Sequence, residues 1–225
     1  LVGEGLLSVV VSKPSNAVIL TGELKKTAGR ALEYLERYHE SNPYLRGIKK
    51  SELKNKIAVS AGNQAWAAVL NFLTVDNLVV VSDKQIALSS HTISFLPQDT
   101  EPAKQIEKMF RQAGFIAPSL LDVAEELQSL SGNRVEEIIR GLIELGKLVE
   151  VLPEADKRLI FHHETILAAQ KVVVELLRQK GEIRISEFRE AIGCSRKYAT
   201  PLLIHFDQRG LTERDGDIRR LRAAR

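Results

Sequence analysis

The run from Gly181 to Leu221, GEIRISEFREAIGCSRKYATPLLIHFDQRGLTERDGDIRRL, decides the fold of this 225-residue chain. It reads as a helix-ending glycine, a brief strand with Ile183 and Ile185 on one side and Arg184 on the other, a short helix, a longer helix and an arginine-rich hairpin. Ser186 is placed to cap the short helix. Its Phe188 and Ile192, spaced i and i+4, face inward while Arg189 points away. Strand, two helices and hairpin in this order are the plan of a winged helix, which sets one helix and a hairpin wing against nucleic acid.

At 100° per residue, Ala199, Leu202, Leu203 and Phe206 of the longer helix share one apolar arc, and Lys197, Thr200, Ile204 and Gln208 lie opposite. Ser195 opens that helix and Arg196 flanks its start, where unpaired backbone N–H groups favour phosphate. Pro201 allows two readings: a kinked helix from Ser195, or a helix beginning near Thr200 with a turn over residues 195–199. In the hairpin, Asp215-Gly216 predicts a type I′ tip. The hairpin gathers Arg214, Arg219 and Arg220; alternation places Ile218 and Arg220 on one face and leaves open which arginine points outward. Tyr198 either stacks on an unpaired base or packs on its own domain.

Working outward, the same outline recurs. Leu1–Leu20 aligns without gaps on Leu142–Phe161, with Gly5 on Gly146, Leu7 on Leu148, Val10 on Val151 and Ile19 on Ile160. Each is a helix end, a residue able to adopt positive φ, a strand, a turn and a return strand. Residues 73–88 repeat the pattern with Asn77 in the glycine position, and residues 202–221 with Gly210. The last three copies are each preceded by three helical segments, the first by none. The expected organisation is the closing hairpin of an earlier winged helix in residues 1–22, then winged helices over 23–92, 99–163 and 164–225. The fold class is mainly α with small β-hairpins, tandem winged-helix domains in an elongated array stacked through helix and wing contacts.

Within the array, helices are expected over 23–39, 51–59 and 64–75, ended first by Pro43 and Gly47. Residues 89–102 read as a linker, followed by a helix from Ala103. Ser119 and Asp122 form a capping-box pattern before the next helix.

Charge is concentrated at the end of the chain. Residues 178–225 carry 12 Lys+Arg against 7 Asp+Glu, a net of +5, whereas residues 1–177 carry 20 against 22. A polyanionic partner for the last module follows. Aromatics are only 5% of the chain, so the cores must be built mainly from aliphatic residues. No apolar run reaches the 18 or so residues of a membrane span. The single cysteine, Cys194, precludes an internal disulfide and points to a reducing cytoplasm. The missing initiator Met suggests a piece of something longer.

No phosphate-binding glycine loop, nucleophile elbow or metalloprotease motif occurs, so no enzyme is expected here. His162 and His163, neighbours on a strand, point to opposite faces and share no metal. His39 reads as a helix-end residue facing free carbonyls. Cys194 reads as packed or capping rather than nucleophilic.

Phe188-Arg189, Arg196 to Ala199, Pro201 to Leu203, Phe206-Asp207, Gly210 to Thr212 and Gly216-Asp217 together resemble the last winged helix of SelB, the bacterial selenocysteine-specific elongation factor family. YHESNP (38–43), LSSHT (88–92), AGFIAPSL (113–120) and FHHE (161–164) are similar to the family more loosely. The resemblance implies a string of four winged helices whose last holds the apical part of a selenocysteine insertion hairpin in mRNA, contacted by Arg189, Ser195, Arg196, Lys197, Tyr198, Arg214, Arg219 and Arg220. It further implies a monomer acting on the ribosome. A GTP-binding body that carries selenocysteinyl-tRNA, with GTP and Mg, would lie elsewhere, with no cofactor in this part. Glu213 departs from the family at a usually basic position, and Ile204 at one where an acid is common. A-form major grooves admit no helix, so an RNA target must be read at splayed loop bases and by shape. The competing readings are a DNA-binding winged-helix regulator and a scaffold for protein partners.

Overall fold

The computed structural model describes residues 7–12, 15–57, 62–151 and 158–222. Three helices in it end in the same way. At the first, Leu78 N–H reaches Leu73 O and Asn77 N–H reaches Thr74 O; at the second, Lys147 reaches Leu142 and Gly146 reaches Ile143; at the third, Leu211 reaches Phe206 and Gly210 reaches Asp207. This is the Schellman bonding pattern, and its pivot needs positive φ: 53° at Asn77, 71° at Gly146 and 72° at Gly210. Asn77 therefore does what the repeat assigns to it. A third bond also recurs, from the residue after the return strand to the residue after the pivot: Ser89 to Leu78, His163 to Lys147 and Arg222 to Leu211. The repeat is a repeat of backbone hydrogen bonds, carried by few identical side chains.

Two compact units are present, Leu1–Ser94 and Phe95–Arg225. In the first, β1 (Leu7–Ser12) and β2 (Ser15–Leu20) form an antiparallel hairpin with Leu7 opposite Leu20. The tip at residues 13–14, Gly5 and the expected helix end at Val59 lie outside the described residues. Helix α1 (Thr21–Ser41), β3 (Ile48–Lys49), α2 (Lys50–Lys56), α3 (Gly62–Val75), β4 (Val79–Val81) and β5 (Gln85–Leu88) follow, and the sheet order is β3-β5-β4. Leu24, Ala28, Ala31 and Leu35 of α1 meet Trp66, Val69 and Leu73 of α3 in one core. Gly47 does more than stop a helix: a Cβ there would lie 2.5 Å from the Ile86 carbonyl oxygen of β5.

His39 departs from expectation. It is buried, and its Nε2 accepts the Leu88 N–H at 3.2 Å instead of facing free carbonyls. Its ring stacks on His91 at 3.7 Å, and His91 Nε2 donates to Leu45 O at 2.8 Å. Burial and the neighbouring His91 push the His39 pKa down to about 4, so the ring is neutral and free to accept.

The second unit begins with α4 (Pro97–Ala113), α5 (Leu120–Glu126), α6 (Gly132–Glu144), β6 (Leu148–Val151) and β7 (Leu159–His162). Helix α4 starts six residues before Ala103, within the stretch read as linker. Pro97 occupies its first turn, where no N–H is needed. Buried Asp99 pairs with Arg134 of α6 and holds the turn in place. The Ser119–Asp122 capping box forms as read.

Then come α7 (His163–Lys180), β8 (Ile183–Arg184), α8 (Ile185–Ala191), α9 (Arg196–Gln208), β9 (Thr212–Asp215) and β10 (Ile218–Leu221), with sheet order β8-β10-β9. Ser186 lies inside α8 rather than capping it. The Glu187 carboxylate instead accepts the Arg184 N–H at 2.8 Å. His163 is the first residue of α7, so strand alternation has already ended and the rings of His162 and His163 sit 4.7 Å apart.

The β6–β7 hairpin is buried on both faces. Leu148 and Ile160 belong to the core of α4, α5 and α6, while Val151 and Phe161 belong to the core of α7, α8 and α9, together with Ala117. Within this unit, one wing is therefore a floor for the next winged helix.

Candidate nucleic-acid interface

Helix α9 starts at Arg196 with Ser195 as its N-cap, and Tyr198 and Ala199 both donate to the Ser195 carbonyl at 3.1 Å. The helix runs through Pro201, so the later start near Thr200 is overturned. Pro201 is the sixth helical residue and buried, as Pro102 is sixth in α4. In α9 the proline lacks the N–H that would bond the Lys197 carbonyl, yet the helix continues to Gln208. Ser195, Arg196 and Lys197 are exposed at the helix start, and Arg196 has no partner among the described residues. Arg189 is half-exposed, 3.7 Å from Glu190. Lys197 Nζ lies 5.1 Å over the Tyr198 ring, and that ring meets Phe161 edge-on at 6.4 Å and 80°. Tyr198 thus packs inward, on the neighbouring wing.

The wing resolves which arginine points where. Pairing of Arg219 with Ile183 and Arg214, and of Leu221 with Thr212, defines the inner face. Arg219 is 1% exposed, so it is corrected from a candidate surface contact to a core residue. Its Nε donates to Asp207 Oδ2 at 3.1 Å, and Thr212 Oγ1 donates to Asp207 Oδ1 at 2.5 Å. A carboxylate at the end of α9 offsets the charge that burial would otherwise forbid. Arg214 shares this face but lies at the tip, exposed, with Nε donating to Gly216 O at 2.8 Å. Arg220 points outward, 2.8 Å from Glu182 and 3.3 Å from Asp215. Glu182 raises the Arg220 pKa further.

The turn also differs from expectation. Asp215 pairs with Ile218, which leaves Gly216-Asp217 as the two loop residues, and only Gly216 has positive φ, at 57°. Glycine in the first loop position matches type II′ rather than I′. Arg184, exposed on the outward face of β8 opposite Ile218, adds a cation to this side of the sheet. Strand alternation already pointed it outward.

The exposed cations at the α9 start and on the wing can hold phosphates or base edges. Burial pushes the Cys194 thiol pKa up, and its Sγ donates to Ser195 O at 3.4 Å. His205 is buried with its pKa lowered, by burial first and Arg209 second. Among the described residues no His, Cys, Asp and Glu group could hold a metal ion, and no helix is long and apolar enough to cross a membrane.

Geometry and repeat together define a tandem winged-helix protein whose last module is its basic one. Residues 32–88 and 175–221 each match a family described as "Elongation factor SelB, winged helix". The chain carries winged-helix domains of the SelB elongation-factor family. It is 25% identical over 197 residues to the selenocysteine-specific elongation factor of Desulfomicrobium baculatum, and 24% identical over 192 residues to that of Haemophilus influenzae. These alignments cover 87% and 85% of the chain but 30% of each relative's length. Among solved structures it is similar to the mRNA-binding domain of E. coli SelB in complex with SECIS RNA, at 20% identity and a TM-score of 0.48, over 57% of this chain and all of that one. It is also similar to a bacterial EF-Sec, at 17% identity and a TM-score of 0.49, over 96% of this chain and 32% of that one.

Proposed function

We propose that this chain is the mRNA-hairpin-binding arm of a selenocysteine-specific translation elongation factor. Its last winged helix recognises the loop of the selenocysteine insertion hairpin and so tethers the factor, with selenocysteinyl-tRNA, to a ribosome paused at a UGA codon. The observation that carries this is a coincidence: the SelB winged-helix match over 175–221 falls on the module with exposed Arg196 and Lys197 at a helix start and exposed arginines on its wing. In this reading the contacts come from Arg189, Ser195, Arg196, Lys197, Arg214 and Arg220. Tyr198 and Arg219 support them from below. The arm has no catalysis or cofactor of its own; GTP, Mg and the tRNA belong to other parts of the factor, which works in the cytoplasm with one copy of this arm.

The test is binding of the 225-residue chain to the selenocysteine hairpin of its own genome, to that hairpin with altered loop bases, and to duplex DNA. Tight binding to the first alone is expected. Arg196→Ala should cost about 1–3 kcal/mol if Arg196 reads a base, and should mainly flatten the salt dependence if it holds a phosphate. Equal affinity for both hairpins would end the proposal, and preference for duplex DNA would favour a transcription regulator.

A further inference from the structure

The start of α9 does not stand on its own module. The Lys197 ammonium sits over the Tyr198 ring, and the Tyr198 ring meets the edge of Phe161, which belongs to β7 of the preceding winged helix. Phe161 is 1% exposed and lies in the core of α7, α8 and α9 with Val151 and Ala117, while Phe115, Val149 and Leu159 pack at the margin of that core.

The equivalent face of the last wing is built differently. Val149 opposite Phe161 on β6–β7 corresponds, by the shared helix-end bonds, to Glu213 opposite Arg220 on β9–β10. One face is apolar and covered; the other is charged and exposed. The β6–β7 wing is thus specialised as a seat, and what sits on it is the turn that carries Arg196 and Lys197.

We propose that Phe161 and Tyr198 are positioning residues for the RNA site: the preceding winged helix sets the direction in which Arg196 and Lys197 leave α9, and Tyr198 does not stack on a base. This rests on the proposed RNA-binding function. Locking a long cation's backbone turn and its stem lowers the entropy lost on gripping phosphate. A turn without its floor would still be helical but would present its cations in many directions.

The experiment uses the 225-residue chain with Phe161→Ala, Phe161→Leu and Tyr198→Leu. Amide hydrogen exchange of residues 198–200 is measured without RNA, and affinity for the selenocysteine hairpin is measured across a salt series. Phe161→Ala should speed exchange at Tyr198 and Ala199, weaken hairpin binding by about tenfold, the scale of one charge-assisted contact, and lower the salt slope by about one. Phe161→Leu, which keeps apolar volume without a ring, should fall between Phe161→Ala and the unaltered chain, and it carries the test if Phe161→Ala does not fold. Tyr198→Leu, which removes the ring from the other side of the same contact, should match Phe161→Leu in exchange and in affinity; a larger loss of affinity with unchanged exchange would show that the Tyr198 ring stacks on a base and would overturn the proposal. Hairpin affinity and salt slope unchanged in a folded Phe161 variant would overturn the proposal. So would unchanged exchange at residues 198–200. If the unaltered chain fails to bind the hairpin, the proposed function falls, while the exchange comparison still decides whether Phe161 positions the turn.

Discussion

Arg219 shows how one residue type can serve opposite ends. Three wing arginines, Arg214, Arg219 and Arg220, look alike in sequence, yet only Arg219 lies under the wing, where Asp207 compensates its charge. Removing one partner of a buried pair leaves an uncompensated charge, whereas removing both does not. Asp207→Asn should therefore cost about 3 kcal/mol in urea unfolding. Adding Arg219→Met should recover most of that loss, so the double variant is more stable than Asp207→Asn alone. Additive losses would show that the two side chains are not coupled. Arg220, held at the surface by Glu182 and Asp215, should change stability little when truncated.

At the scale of elements, the His39–His91 stack joins α1 to the backbone at Leu88, just where β5 ends. His39 accepts a hydrogen bond only when neutral, and its pKa falls from 6.5 to about 4 on folding. The unfolded chain therefore binds more protons between these values, and stability must drop as pH falls through that window. Above pH 6.5 the contribution is fully present; by pH 4 it is largely lost, up to about 3 kcal/mol from this group. Chemical unfolding followed at Trp66, which lies in the same core, should report this loss between pH 7 and pH 4. His39→Gln, whose amide oxygen can still accept the Leu88 N–H, should remove it. A variant with the same pH dependence as the unaltered chain would assign the effect to other groups.

For the molecule as a whole, the placement of cores matters more than the count of modules. The core of α7, α8 and α9 includes Ala117, Val151 and Phe161, which precede α7 in the chain. Residues 163–225 alone would expose that face and lose the floor of their own core. Residues 95–225 should unfold in one cooperative transition, while residues 163–225 should show reduced helicity and no sharp transition by circular dichroism. A sharp transition in the shorter piece would show that the β6–β7 floor is dispensable.

Local chemistry made much of this legible from the chain alone. Asn77, Gly146 and Gly210 announce helix ends because few residues tolerate positive φ, and Ser119 with Asp122 announces a helix start because two backbone N–H groups need acceptors. Heptad-like spacing placed Ala199, Leu202, Leu203 and Phe206 inward, and the charge excess marked the last module. The misreadings share one cause, contacts with residues distant in sequence. Asp99 meets Arg134 across 35 positions and so carries a helix through a proline-containing stretch read as linker. His39 meets Leu88 across 49 positions and so accepts a bond instead of facing carbonyls. Sequence by itself determined that this is a series of winged helices with a basic end, since periodicity, caps and charge are written in neighbouring residues. Only the tertiary structure decided which arginine is core and that Tyr198 rests on another module's wing, since burial depends on what the fold brings alongside.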